Sequence, residues 1–193
     1  MLLDDRARDA LLTQVRTNPV NATLLDQLPA LGLPDCWLVA GCLFETIWNL
    51  QTGRPPTENI DDYDVFYFDD TDLSYDAEDR VIRQVAAACA DIDARIEVKN
   101  QARVHLWYRQ RFRHDYLQLS SSTDGIDRFL VECTCVAIRC GPDRVPDVYA
   151  TYGLREMRAG ILRPNALNRN DRLFAQKTAG YQRRWPWLRV EGA

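Results

Sequence analysis

Asp62 and Asp64 stand two residues apart in the run Asp62-Tyr63-Asp64-Val65-Phe66-Tyr67-Phe68. On a strand, residues two apart project from the same face. The two carboxylates would therefore point together from an otherwise apolar strand, where they repel. A divalent cation such as Mg²⁺, which takes oxygen ligands, relieves that repulsion. Spacing alone is not selective. With 28 acidic residues in 193, roughly four such pairs are expected from composition. Asp70/Asp72 and Asp91/Asp93 are two more. The first falls in a polar turn before Ser74 and the second at a helix-to-strand junction, so both read as solvated turn residues. Asp62/Asp64 differs because its aromatic and β-branched neighbours make the strand central. Carboxylates at the end of a buried strand cost desolvation unless something compensates.

Two other features can join this pair. Gly41-Cys42 lies at a strand-to-helix turn upstream. Small residues there let a phosphate approach backbone N–H groups at a helix N-terminus, although many strand–Gly–helix turns are only structural. Glu97 stands between Ile96 and Val98 on a later strand. An acid so placed either faces solvent or joins a site. Lys99 shares its face and could neutralise phosphate or lie on a solvated edge. Asn100 and Gln101 could bind a base or sugar, or cap the next helix. On the helix after Gly41, Glu45, Thr46 and Asn49 are the polar residues. Thr46 and Asn49 are candidates to line a nucleotide pocket, while Phe44, Ile47 and Trp48 supply packing. His105 reads as a structural hydrogen-bonding residue. Arg109, Arg111, Arg113 and His114, interleaved with Trp107, Tyr108, Phe112 and Tyr116, could hold a single-stranded acceptor such as an RNA end or form a solvated turn.

The elements that must position these residues follow from apolar periodicity. Helices are expected over 2–16, with Leu2 and Leu3 on the apolar side, and over 21–30. A buried strand at 36–40 leads into an apolar helix at 42–51, stopped by Gly53 and Pro55-Pro56. The acid-bearing strand is 62–68. Ser74 caps a helix running to about 89. Residues 94–99 alternate as a half-buried strand, 100–111 form a helix or structured turn, and 123–130 a short helix. Strands at 134–139 and 145–150 meet at the Gly141-Pro142 turn. Helices at 153–159 and 169–183 follow, and Trp185-Pro186-Trp187-Leu188 plugs the core. The order predicts an α/β (α+β) chain with a mixed sheet and helices packed against it. It is read as one domain over 1–193, with a helical segment at 1–33 and a core at 34–193.

Bulk properties narrow the classes. A net charge of −4 argues against wrapping duplex DNA, which needs a broad basic surface. Cys36, Cys42, Cys89, Cys133, Cys135 and Cys140 include no C-x-x-C pair. With only two histidines, a zinc site is not expected. No apolar run is long enough to span a bilayer and no signal-peptide core appears, so the expected location is cytoplasmic with reduced thiols.

Ala40-Gly41-Cys42, Asp62-Tyr63-Asp64 and Glu97, in that order, resemble the pattern of the DNA polymerase β-type nucleotidyltransferase superfamily. AGCLFETIWN with DDYDVFYFD, then IEVKNQARVHLW, then YGLREMRAGILRPN with KTAGYQRRWPWL, are similar to a bacterial nucleotidyltransferase-like family from about residue 34 onward. The resemblance implies a nucleotidyltransferase fold and a two-metal phosphoryl-transfer site. Asp62 and Asp64 would hold Mg²⁺ (or Mn²⁺) on a nucleoside triphosphate. Glu97 would help hold a second metal and activate the acceptor hydroxyl, and the Gly41 and Cys42 amides would hold phosphates. Cys42 departs from the Gly or Ser common at that position and removes a hydroxyl contact. The acceptor is open between a small molecule, a protein side chain and an RNA end. The alternatives are a non-catalytic nucleotide-binding or regulatory module of the same fold, and an interaction protein whose acids are solvated.

Overall fold

The computed structural model describes residues 4–113, 115–141, 143 and 145–192; Leu2, Leu3, His114 and Pro142, assigned parts above, lie outside the described residues. Five strands, β1 (Trp37–Val39), β2 (Tyr63–Tyr67), β3 (Ile96–Asn100), β4 (Val136–Cys140) and β5 (Pro146–Ala150), form one sheet in the order β3-β2-β1-β4-β5. Only β2 and β3 run parallel; the other pairings are antiparallel. The crossover between the parallel strands is helical, as parallel neighbours require, and carries α4 (Tyr75–Ala88). The sheet is mixed, as the order of elements predicts.

α1 (Asp5–Val15) and α2 (Pro19–Gln27) precede the sheet. α2 starts two residues earlier than expected because Asn18 caps it, its Oδ1 accepting from the Val20 amide at 3.0 Å. Proline suits a first helical turn, where its missing N–H costs nothing. Asn18 and Asn21 are fully buried and bind the next layer. Asn18 Nδ2 donates to Thr46 Oγ1 and Tyr63 Oη, both at 3.1 Å. Asn21 Nδ2 donates to the Cys42 carbonyl at 2.8 Å.

α3 (Gly41–Gln51) is buried from Cys42 through Asn49, as a helix that is apolar nearly all round must be. Phe44 and Trp48 meet Tyr181 of α8 (Asp171–Arg184) at 5.5 and 5.4 Å between ring centroids, and Trp48 meets Trp185 at 5.4 Å. Each such contact contributes about 0.5–1.5 kcal/mol beyond the area it buries. The terminal Trp185 and Leu188 do plug the core, at 0% and 2% exposed.

Ser74 caps α4, accepting from the Ala77 amide at 3.2 Å. α4 is clamped to the end of β3 by a buried ion pair between Glu78 and Arg103. Glu78 Oε1 also accepts from the Asn100 amide at 2.9 Å. A 3₁₀ turn over Gln101–Arg103 leads into α5 (Val104–Phe112). α6 (Ser122–Ile126) ends sooner than expected, and α7 is Arg155–Ala159. Two further strands, β6 (Ile161–Leu162) and β7 (Arg189–Val190), pair in parallel. At two residues each they carry no period to read. Between α7 and β6, Gly160 has φ 66, and a Cβ there would meet the Trp187 ring at 2.2 Å. No helix among the described residues is long and apolar enough to cross a membrane. Cys42, Cys89, Cys133 and Cys135 are buried, and Cys36 and Cys140 partly so.

Candidate active site

The pairing of β2 with β3 builds the candidate site. Tyr63, Val65 and Tyr67 turn into the core, leaving Asp62, Asp64 and Phe66 on the other, partly exposed face. Parallel register places Glu97 directly beside Asp64. On the other side of β2, Val39 of β1 is opposite Asp64. Asp62, just before β2, and Asp64 both act electrostatically on Cys42 in the turn from β1 into α3.

That turn is strained. Ala40 has φ 55 and ψ −119, a left-handed conformation costly for a residue with a Cβ. Gly41 has no positive φ, and a Cβ on it would meet only the Glu45 carboxyl, at 3.8–3.9 Å. Among the described residues no neighbour crowds a Cβ at 41, and the Glu45 carboxyl is the group that lies against that position at the N-terminal turn of α3. Cys42 turns inward, fully buried, with Sγ donating to the Val39 carbonyl at 3.5 Å. Burial raises its thiol pKa well above the ordinary value. Only the backbone of Cys42 can face a ligand.

The acids are electrostatically linked. Burial pushes the Asp64 carboxyl up to about 7, and Asp62 and Glu97 push in the same direction against Lys177 and Lys99. Asp62 is also raised, first by burial and then by Glu97. Neither aspartate carboxylate has a hydrogen-bond or ion-pair partner among the described residues. Glu97 is paired with Arg95, just before its strand, and at 3.7 Å with Lys99 Nζ on it. Among the described residues no three or more His, Cys, Asp and Glu side chains gather closely enough to hold an ion. The expected convergence of three carboxylates is thus present in register but not in side-chain position, since Glu97 is drawn to its flanking cations. As donors, Asp62 and Asp64 fit a hard divalent cation: they are half-buried oxygen ligands with no direct hydrogen-bond or ion-pair partner among the described residues.

Three other candidates are placed elsewhere. Thr46 is fully buried, donating to the Cys42 carbonyl at 2.7 Å and accepting from Asn18. Asn49, also fully buried, donates to the Glu58 carbonyl at 2.6 Å and accepts from Trp185 Nε1 at 2.9 Å. Asn100 accepts from the Ala102 and Asp69 amides and donates to the Asp69 carbonyl at 2.7 Å. Their hydrogen bonds are spent inside the fold, so they cap and brace rather than line a pocket. His105 differs from expectation too: its buried Nδ1 has no hydrogen-bond partner among the described residues.

Lys99 borders a cleft of about 630 Å³ that begins at Phe66, on the face of the aspartates. Lys99, Arg128, Lys177, Arg183 and Arg184 line it with Trp107, Tyr108, Tyr116, Phe129 and Tyr181, and no carboxylate is among the lining residues. Tyr108 and Tyr116 stack at 4.2 Å between centroids. Arg109 turns away to pair with Asp115 at 3.2 Å. A chain of net charge −4 has therefore gathered a basic, aromatic cleft beside its buried acids. The cleft meets the acid-bearing strands at Phe66 and Lys99 rather than at the carboxylates themselves, and cavities of about 670 and 800 Å³ elsewhere border none of the three acids.

α8 supplies the residues that spacing within the first hundred positions could not show. Lys177, Tyr181 and Arg184 recur at i, i+4 and i+7, one helix face, and all three line the cleft. That periodicity is the available signal in the sequence, though it does not say which strand the face meets.

A family profile described as nucleotidyltransferase matches residues 26–190. A solved structure described as revealing a CCA-adding enzyme head domain is 26% identical, with a TM-score of 0.74 and 95% of each chain covered. A tRNA-processing enzyme (apo form I) shares the fold at a TM-score of 0.52 and 10% identity, over 99% of this chain and 45% of its own. No curated protein matches. With a profile covering most of its length, an acid-bearing β2–β3 pair and a fold shared with an enzyme head domain, the chain belongs to the nucleotidyltransferase family.

Proposed function

We propose that the protein transfers a nucleoside monophosphate from a nucleoside triphosphate to an acceptor hydroxyl and releases pyrophosphate. The observation that carries this reading is the register of Asp64 with Glu97 on the strands whose Phe66 and Lys99 line the basic cleft. Asp62, Asp64 and Glu97 are the residues that would hold Mg²⁺ or Mn²⁺. The metal, when bound, neutralises phosphate charge and stabilises the attacking and leaving oxygens.

The chain's own residues do the rest. The Gly41 and Cys42 amides at the N-terminus of α3 receive phosphate oxygens. Lys99 and Lys177 offset the triphosphate charge, and the aromatic walls take the base or the acceptor. Glu97, on leaving Arg95, accepts the proton of the attacking hydroxyl. A bond forms between that oxygen and the α-phosphorus, and the bond to the β-phosphate oxygen breaks. The electron pair leaves with pyrophosphate. Positioning and charge neutralisation supply most of the catalysis in such transfers. Free thiols fit a reducing, cytoplasmic setting. The likeness to a CCA-adding enzyme head domain, with the stacked tyrosines of the cleft, supports an RNA end as acceptor ahead of a small molecule or a protein side chain.

Titration calorimetry of Mg²⁺ and Mn²⁺ with each nucleoside triphosphate tests the reading, followed by pyrophosphate release across an acceptor panel. Absence of metal-dependent nucleotide binding would sink it. The ion pairs holding Glu97 favour one second reading, a non-catalytic nucleotide-binding module. Tight binding with no pyrophosphate release from any acceptor would select that module.

A further inference from the structure

Glu45 is the single carboxylate on α3 and is only 5% exposed. Its side chain folds back over the first turn of the helix. A Cβ on Gly41 would lie 3.8 Å from its Cδ and 3.9 Å from Oε2. That is the place a helix N-terminus offers to an anion. Arg184 Nη2 stands 2.9 Å from Glu45 Oε1. The guanidinium comes from the last turn of α8 and lies over the Trp185 ring at 4.6 Å. Its Nη1 donates to the Asn59 carbonyl at 2.8 Å and stands 3.7 Å from the exposed Asp61 carboxylate, and the side chain borders the basic cleft.

We infer that Arg184 is a phosphate-binding residue of the candidate site, and that Glu45 occupies the phosphate position as its counter-ion until nucleotide arrives. The inference rests on the proposed nucleotide transfer and adds an exchange of partners to it. Guanidinium presents the same fork of N–H donors to carboxylate and to phosphate. A triphosphate carries more charge than one carboxylate and can reach the α3 amides that Glu45 overlies. When it enters, Arg184 passes from Glu45 to the phosphate. Burial pushes the Glu45 carboxyl up to about 8 against the pull of Arg184, so the titrations below are run at about pH 9, where Glu45 carries its charge.

A purely structural salt bridge between α3 and α8 makes a different forecast. In that role, loss of either partner leaves phosphate affinity unchanged or lower. In the exchange role, the two substitutions move affinity in opposite directions. The probe is inorganic tripolyphosphate, then each nucleoside triphosphate, titrated with Mg²⁺ into the full chain by calorimetry. Glu45→Gln should bind about tenfold tighter and Arg184→Gln about tenfold weaker, as expected for a charge-assisted contact. In the double variant the gain from Glu45→Gln should vanish, because it acts through Arg184. Thermal melts establish that each variant is folded. Arg184→Lys, which keeps the charge but loses the fork, replaces Arg184→Gln where the latter does not fold, and should weaken binding less. Unchanged or weaker binding by Glu45→Gln, while the native chain binds nucleotide, overturns the exchange and leaves the transfer reading standing. No binding of tripolyphosphate or nucleotide by either protein overturns both.

Discussion

At the scale of single residues, the buried acids give the protein a definite pH signature. Asp64 rises from 3.8 to about 7 and Glu45 from 4.5 to about 8, each mainly through burial. The folded chain thus binds more protons than the unfolded chain between about pH 4 and 8. The slope of stability with pH follows the excess of protons on the unfolded state, which is negative here. These groups therefore favour folding below about pH 4, and that advantage is lost as pH rises through 7 to 8. Melting temperature in EDTA should fall between pH 5 and 8.5, and Mg²⁺ should restore more of it at pH 8 than at pH 5.5. Asp62→Asn with Asp64→Asn should remain folded, flatten the profile and gain on the order of 1–3 kcal/mol at pH 8. It should also abolish the Mg²⁺ response. An unfolded double variant would mean that the carboxylates are structural. Strand alternation makes the shared face of Asp62 and Asp64 legible, while Glu97 is singled out only by the family resemblance, since alternation alone leaves it open between solvent and a site. The sequence did not separate these acids from Thr46, Asn49 and Asn100, since a polar residue type does not reveal whether its hydrogen bonds are spent internally. Asn49 is occupied by Trp185, 136 positions away, and no local pattern announces that.

At the scale of elements, α3 and α8 form the unit that matters. The Phe44, Trp48, Tyr181 and Trp185 rings join them. The same joint sets Lys177 and Arg184 against the cleft. Trp185→Ala should cost roughly 3–5 kcal/mol, as truncation of a buried aromatic does, with a further loss because Asn49 Oδ1 is left without its donor. It should also weaken nucleotide binding, although Trp185 does not line the cleft. A denaturant melt and a nucleotide titration on the same sample check both halves; a stability loss without an affinity loss would uncouple α8 from the site. α3 and α8 are read with little error because their apolar spacing is long. The start of α2 is missed although Asn18-Pro19 carries both a cap and a first-turn proline. The β6–β7 pair escapes notice because it depends on strands that meet only after the whole C-terminal segment has folded back.

At the scale of the whole molecule, the first two helices share the main core. Leu11, Val15, Leu24 and Leu25 cluster with Leu38, Phe44 and Trp48, and are 0–2% exposed. Asn18 and Asn21 bind α3 and β2 directly. A chain begun at residue 34 should therefore lose cooperative unfolding, seen as a broad melt by circular dichroism and poor dispersion by NMR. A sharp melt close to that of the full chain would show that these helices are an appendage. The topology has another effect, set by where β3 lies. It is the last strand on its side of the sheet, and it alternates apolar Ile96 and Val98 with Glu97 and Lys99, just after Arg95. An edge strand with free backbone groups recruits other chains unless charge discourages it. The charges of Glu97 and Lys99, which the proposed transfer also uses, should keep neighbouring molecules from adding a strand. Glu97→Val with Lys99→Val should scatter light at concentrations where Glu97→Gln stays clear, so an inactive variant of the first kind would report self-association as much as lost catalysis.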